Sequence, residues 1–136
     1  MEQKTSIFTK IINREVPGAF VYEDEVCVVI MDKFPEVPGK CMVIPRKETE
    51  YIFDLDKETY EHIFNVAKKI AKALDTTYAT ERTVLLVEGF EVPHVHIKLY
   101  PIKSDQINDV KTLLWGGSEV SNEESEKEAA KIKQNL

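Results

Sequence analysis

The stretch Pro93-His94-Val95-His96-Ile97-Lys98-Leu99-Tyr100-Pro101 alternates apolar and polar residues through Leu99. Side chains of a strand point to opposite faces in turn, so Val95, Ile97 and Leu99 share one face. His94, His96 and Lys98 share the other, with ~6.5–7 Å between neighbours from the strand rise. Two imidazoles and an ammonium make a place for an anion, and a neutral imidazole is a nucleophile near neutral pH. The same pattern fits a strand with two solvated histidines and an edge-guarding lysine. His-x-His on a strand can also chelate a metal, but no Cys, third His or carboxylate pattern nearby completes a site.

Working outward, Thr83 to Glu88 reads as an apolar strand stopped by Gly89. Before it, Tyr60, Ile63, Phe64, Ala67, Ile70, Ala71 and Leu74 recur at the 3, 4, 7 spacing of one buried helix face. That helix spans about Asp56 to Leu74, with Asp56 as N-cap. Glu58 and Glu61 suit its positive end, and Lys68, Lys69 and Lys72 its negative end. Further upstream, Phe20 to Glu23, Val26 to Asp32 and Lys40 to Pro45 read as strands. Glu23-Asp24-Glu25 suits a hairpin turn, and Phe34 to Gly39 is a loop with two prolines. Ser6 caps a short helix with Ile7, Phe8, Ile11 and Ile12 on its apolar side. Downstream, Ser121-Asn-Glu-Glu124 is a capping-box pattern opening a helix toward Leu136. The span 103–119 has no clear period. The expectation is an α+β fold: an antiparallel sheet of about five strands, one long helix, and short N- and C-terminal helices. Residues 1–136 read as one domain, with a core over about 6–102 and a C-terminal extension over 103–136.

With 136 residues and 43% hydrophobic content, the chain can bury one ordinary core. A net charge of -6 argues against a nucleic-acid polymer as partner. No apolar run approaches the ~20 residues of a membrane span, and no signal-peptide h-region follows the first residues. The expected location is the cytoplasm. Cys27 and Cys41 lie in strand-like runs and read as reduced core residues.

Pro93 to Pro101 resembles the His-φ-His-φ-His-φ-φ signature of the histidine triad (HIT) family. Ser6 to Pro17 resembles the family's opening helix and turn. Tyr22-Glu23-Asp24, Asp32, Pro38-Gly39 and Val43-Ile-Pro-Arg-Lys47 resemble its following strands, in the family's order. The resemblance covers residues 6 to about 102 and points to the Hint-like branch. It implies an antiparallel sheet flanked by helices, doubled into a homodimer, and a small nucleotide, such as a purine mononucleotide, as ligand. It implies hydrolase or transferase chemistry at the α-phosphate of a nucleoside phosphoramidate or dinucleoside polyphosphate.

On that resemblance His96 is the nucleophile that forms a nucleotidyl-histidine, and His94 is its polar partner within the triad. Lys98 stands where the third histidine serves the leaving group and phosphate. Lysine pairs with phosphate as a point charge, but with a reference pKa of ~10.4 it is a poor proton shuttle near neutral pH. Asp32 matches the carboxylate that accepts from the ribose hydroxyls, although Asp32 also reads as a strand-end turn residue. Ile7, Phe8, Ile11, Ile30 and Met31 match base-pocket positions, although each reads equally well as core.

Gly89 keeps one glycine of the family's phosphate-cradling turn. Phe90 replaces its Gln or Ser, and Glu88 and Glu91 would repel an anion if they face inward. Zinc-holding relatives use residues matched here by Ser6, Thr9, Glu48 and His94, three of which are wrong for structural zinc. No metal and no cofactor are expected. A nucleotide-binding module with weak or lost catalysis is the alternative, motivated by Lys98 and the shortened turn over 88–91. A further reading is an interaction protein using the charged C-terminal helix, which is expected to pack only lightly.

Overall fold

A computed structural model describes residues 5–113 and 117–136. Its sheet has five strands in the order β1-β2-β3-β5-β4, all neighbours antiparallel. They are β1 (Phe20–Glu23), β2 (Cys27–Met31), β3 (Cys41–Pro45), β4 (Arg82–Leu86) and β5 (Ile97–Ile102). Among the described residues four α-helices accompany them: α1 (Ile7–Ile12), α2 (Lys57–Tyr78), α3 (Val110–Leu113) and α4 (Asn122–Lys133). This is the α+β arrangement expected from the sequence.

β2 and β3 are buried at every position because both faces of the sheet are covered. On one face Val29, Val43, Ile97 and Leu99 pack against Ile63, Val66, Ile70 and Leu74 of α2. On the other face Val28, Ile30, Met42 and Ile44 pack against Phe8 and Ile12 of α1. Each aliphatic side chain enclosed this way contributes about 1.5–3 kcal/mol relative to exposure. Cys27 and Cys41 are free and buried, as expected. Burial is the main cause that pushes each thiol up to about 12.

The helix starts follow their capping residues. Ser6, Asp56 and Ser121 each accept a hydrogen bond from the backbone N–H three residues on. α2 runs one turn past the expected end at Leu74. Thr77 donates its hydroxyl to the Ala73 carbonyl, and Tyr78 buries its ring before Ala79 turns left-handed. The lysines therefore sit short of the helix end, and its last turn holds no basic residue.

The expected strand over Pro93–Pro101 is shorter, beginning at Ile97. Ahead of it the backbone pairs with loops instead of the ladder. His94 N–H donates to Val92 O at 2.8 Å, and Val95 N–H to Thr49 O at 2.8 Å. The faces still alternate, with Val95 in the core beside α2 and His94 and His96 against Phe8.

The C-terminal extension departs most from expectation. A 3-10 turn over Ser104–Asp109 and α3 follow β5, with Val110 packed against the cluster of Val37, Tyr100 and Ile102. Val120 N–H then donates to Lys33 O at 3.0 Å, and α4 packs on β1, β2 and α2. Ala129 and Ile132 have no exposed surface and belong to the same core as α2. The light packing expected of this helix is therefore corrected: its few apolar residues align on one face, three positions apart.

One glycine ties these parts together. Gly39 has φ +90°, and a Cβ there would lie 2.4 Å from Cε2 of Tyr78, whose hydroxyl donates to Glu128 of α4. Gly39→Ala therefore combines left-handed strain with a clash against the end of α2. The expected outcome is a loss of about 2 kcal/mol or more in denaturant unfolding; a change within error would show that this loop moves freely.

Candidate functional site

His94 is fully enclosed, at 0% exposure. Its Nε2 lies 2.7 Å from the Pro45 carbonyl, which can only accept, so Nε2 carries the proton. Nδ1 then accepts from Ser6 Oγ at 2.6 Å. The His94 carbonyl in turn accepts from Nδ1 of His96 at 2.8 Å. This fixes the His96 tautomer and leaves its Nε2 with a lone pair. Burial is the main cause holding both imidazoles below the ordinary histidine value, and so neutral. For His96 the hydrogen bond to His94 works against that shift, and the nearby Lys98 charge adds to it.

His96 forms part of the wall of a cleft of about 750 Å³, within the range of small-ligand sites. Ile7, Phe8 and Ile11 of α1 line one side, and Ile30, Met42 and Leu86 of the sheet line the floor. Met31 and Asp32 stand at the β2 end, and Val120, Ser121 and Ser125 of the extension close the mouth. The structure thus brings together His96, Lys98, Asp32, Ile7, Phe8, Ile11, Ile30 and Met31. His94 lies behind the wall as a support rather than in it. Gly89 is absent from the lining; its φ of +70° makes it the pivot of the turn, beside Glu50 O.

The charges in the cleft are mostly paired. Asp32 Oδ2 lies 2.7 Å from Lys40 Nζ, and Oδ1 accepts from Phe34 N–H at 2.7 Å. Both readings of Asp32 thus meet: a turn residue that also faces the cleft. Lys40 is 3% exposed and pairs again with Glu36 at 2.7 Å. Burial alone would lower the Lys40 ammonium; the Asp32 and Glu36 carboxylates outweigh it and hold it up. Lys98 Nζ pairs with Glu88 Oε1 at 2.7 Å, both partly buried. Glu88 Oε2 accepts from Phe90 N–H at 2.8 Å. Burial would raise this carboxyl, but the hydrogen bonds from Lys98 and Phe90 outweigh it and hold it low. The Phe90 ring is 91% exposed. Lys33 is left as the one cleft-lining cation without an ion pair among the described residues.

Sequence reasoning did not single out Lys40, although its position two residues before Met42 puts both on the cleft face of β3. It also passed over Ser125 and Val120, for which no local pattern gave a signal.

Ser6, Thr9, Glu48 and His94 do come together, as a hydrogen-bonded cluster. Glu48 Oε1 accepts from Ser6 N–H at 2.7 Å and from Thr9 Oγ1 at 2.6 Å. Two hydroxyls and a carboxylate whose Oε1 already takes two donors do not fit structural zinc, which takes Cys and His. Asp24, Cys27 and His62 also converge, their ligand atoms within 4.8 Å of one another. Asp24, however, accepts from Tyr22, Val26, Cys27 and His62, an arrangement that anchors the β1–β2 turn.

Comparison with known proteins bears on the family and the fold. A HIT domain model matches residues 13–104. An uncharacterized HIT-like protein of Borreliella burgdorferi is 40% identical over 102 residues, covering 70% of this chain and 73% of its own length. A crystal structure of a HIT-like protein from Bartonella henselae superposes with a TM-score of 0.83 at 27% identity, covering 100% of both chains. A hypothetical histidine triad nucleotide-binding protein from Sulfolobus tokodaii superposes with a TM-score of 0.81 at 27% identity, covering 94% of this chain and 89% of that one. A zinc-bound histidine triad protein from Mycobacterium smegmatis shares the fold, with a TM-score of 0.80 at 20% identity over 96% of this chain and 92% of that one. From the signature at His94 to Lys98 and the match over residues 13–104, this chain belongs to the HIT domain family.

Proposed function

We propose that the cleft binds a mononucleotide unit and that His96 attacks its α-phosphorus. The observation that carries this reading is the orientation of His96: Nδ1–H is committed to the His94 carbonyl, so the Nε2 lone pair is available at the cleft wall. The apolar side formed by Ile7, Phe8 and Ile11 suits a purine base, and Asp32 suits ribose hydroxyls.

In the first step the Nε2 lone pair forms an N–P bond while the bond from phosphorus to the leaving group breaks. The electron pair departs with the leaving group, which takes a proton from water. The imidazolium so formed keeps its Nδ1–H on the His94 carbonyl, a hydrogen bond that strengthens as charge develops. In the second step water attacks phosphorus and releases one proton to solvent. The N–P pair returns to Nε2, and His96 is neutral again. Lys98 binds a phosphate oxygen as a point charge. The substrates of this class are nucleoside phosphoramidates and dinucleoside polyphosphates.

A second reading, binding with slow or lost turnover, is favoured by the Lys98–Glu88 pair, which leaves no triad histidine at the leaving-group side. Residues 1–136 serve as one functional unit in either reading, in the cytoplasm. We also infer a homodimer built on β4. β4 is a terminal strand of the sheet and carries Leu85 at 44% exposure, whereas β1, the strand at the other end, packs against α4. No helix of the described residues is long and apolar enough to cross a membrane.

Quenched reaction with adenosine 5′-phosphoramidate should give a protein mass raised by one adenylyl group, absent in His96→Ala, whose turnover drops by three or more orders of magnitude. Full turnover in that variant would remove His96 from the mechanism. Because burial lowers the His96 imidazole, the acid limb of kcat/KM should lie below the free-histidine value of about 6.5. A limb above that value would assign the titration to another group. Lys98→His should raise turnover about tenfold or more if leaving-group protonation limits the rate; an unchanged rate would favour the binding module. Light scattering should return about twice the 15.6 kDa chain mass, and the monomer mass would refute the β4 dimer.

A further inference from the structure

We infer that Glu88 is a specificity-determining residue that makes the leaving-group side of the cleft accept a neutral or cationic leaving group and reject a polyphosphate. The inference rests on the proposed site and selects within its two substrate classes.

The geometry is that of an internal anion. Lys98 follows His96 by two residues and lines the same cleft. The donor beside His96 that an incoming anion would use is Lys98 Nζ. It is already held by Glu88 Oε1 at 2.7 Å, while Phe90 N–H fixes the same carboxylate through Oε2 at 2.8 Å. Gly89, with its positive φ, folds the turn back so that Phe90 N–H reaches Glu88, two residues behind it. The carboxyl is held low, so the group carries its full charge at neutral pH.

An arriving polyphosphate must therefore compete with Glu88 for Lys98 and then remain beside a fixed negative charge. Glu91 adds a second carboxylate along the cleft. An amine substituent meets the opposite situation. Its N–H groups can donate to Glu88, and the freed amine, once it takes a second proton from solvent, is attracted to it as an ammonium. The α-phosphate itself needs only a share of Lys98, whose three N–H donors exceed the single bond that Glu88 takes.

Charge thus separates the two substrate classes where shape alone does not. A cleft of this volume has room for more than a mononucleotide, so exclusion of a longer phosphate chain falls to electrostatics. The interaction is only partly screened, since Glu88 and Lys98 are each about four-fifths covered, at 20% and 17% exposure.

The test is calorimetric binding of AMP and ATP to the full chain and to Glu88→Gln, which keeps the shape and a hydrogen-bond acceptor. Wild type is expected to bind AMP more tightly than ATP, and Glu88→Gln to shift the ATP-to-AMP affinity ratio toward ATP by about tenfold, as expected for removing one half-screened charge. Glu91→Gln should move the ratio the same way by less. Equal gains for both ligands would mean that Glu88 acts only by occupying Lys98, and would overturn the inference, as would an unchanged ratio. The measurement needs no turnover. Failure of the His96 mechanism, read from the missing adduct, is thereby distinguished from failure of this selection.

Discussion

Much of this fold is organised around one enclosed imidazole. His94 has no exposed surface and therefore must satisfy both ring nitrogens internally. It does so with Pro45 at the end of β3 and Ser6 at the start of α1, residues that lie 49 and 88 positions away. Either bond alone would leave a buried polar nitrogen unpaired, at a cost of about 1–3 kcal/mol. Together they fix where α1 enters the sheet face, and α1 supplies the apolar side of the cleft. The same residue's carbonyl sets the tautomer of His96. Glu48 secures the arrangement from outside by holding Ser6 and Thr9. Hydrogen bonds thus bind Ser6, Thr9, Glu48 and His94 into one cluster. The N-cap of a six-residue helix supports His94 and, through its carbonyl, the orientation of His96.

The second organising constraint is charge. The cleft carries lysines at two places on its floor, and each is matched by carboxylates from loops: Lys40 by Asp32 and Glu36, Lys98 by Glu88. A buried ammonium without partners would lose its proton or unfold its surroundings, so Lys40 demands both neighbours. That demand shapes the loop from Asp32 to Gly39, which has to return Glu36 to Lys40 within a single turn of chain. Asp32 is consequently oriented before any ligand arrives, by Lys40 on one oxygen and by Phe34 N–H on the other. An oriented carboxylate retains free lone pairs for hydroxyl donors and loses little freedom on binding them.

Periodicity made much of this readable in advance. The alternation over Val95, Ile97 and Leu99 placed the core face of β5 correctly, and the 3, 4, 7 spacing located α2 to within a turn. Alternation could not reveal that His94 to Val95 bond to loops, because a residue's face does not report its backbone partner. The end of α2 was hidden for a related reason. Asp75, Thr76 and Thr77 look like a breaker, yet threonine hydroxyls fold back on the carbonyls of Lys72 and Ala73 and let the helix continue to Tyr78. At the site, the residues on one strand were legible, whereas their partners were not. Glu88 was visible as an inward-facing possibility; that it takes Lys98 and Phe90 N–H together depends on the turn at Gly89, whose path no local pattern reports.

The C-terminal extension shows the limit of local pattern most clearly. α4 contributes only Ala129 and Ile132 as enclosed apolar residues, too few for a convincing stripe, yet both reach the core shared by α2 and the sheet. Small area is enough here because Glu128 accepts from Tyr78, Asn135 donates to Thr77, and Val120 pairs with Lys33. These contacts are distributed along the segment and each is weak alone. Their joint effect is to hold Ser121 and Ser125 at the mouth of the cleft, opposite α1. The walls therefore come from the two ends of the chain, closed over a sheet built by its middle. A ligand touching both walls would stabilise α1 and the extension together, because it binds only where both are in place.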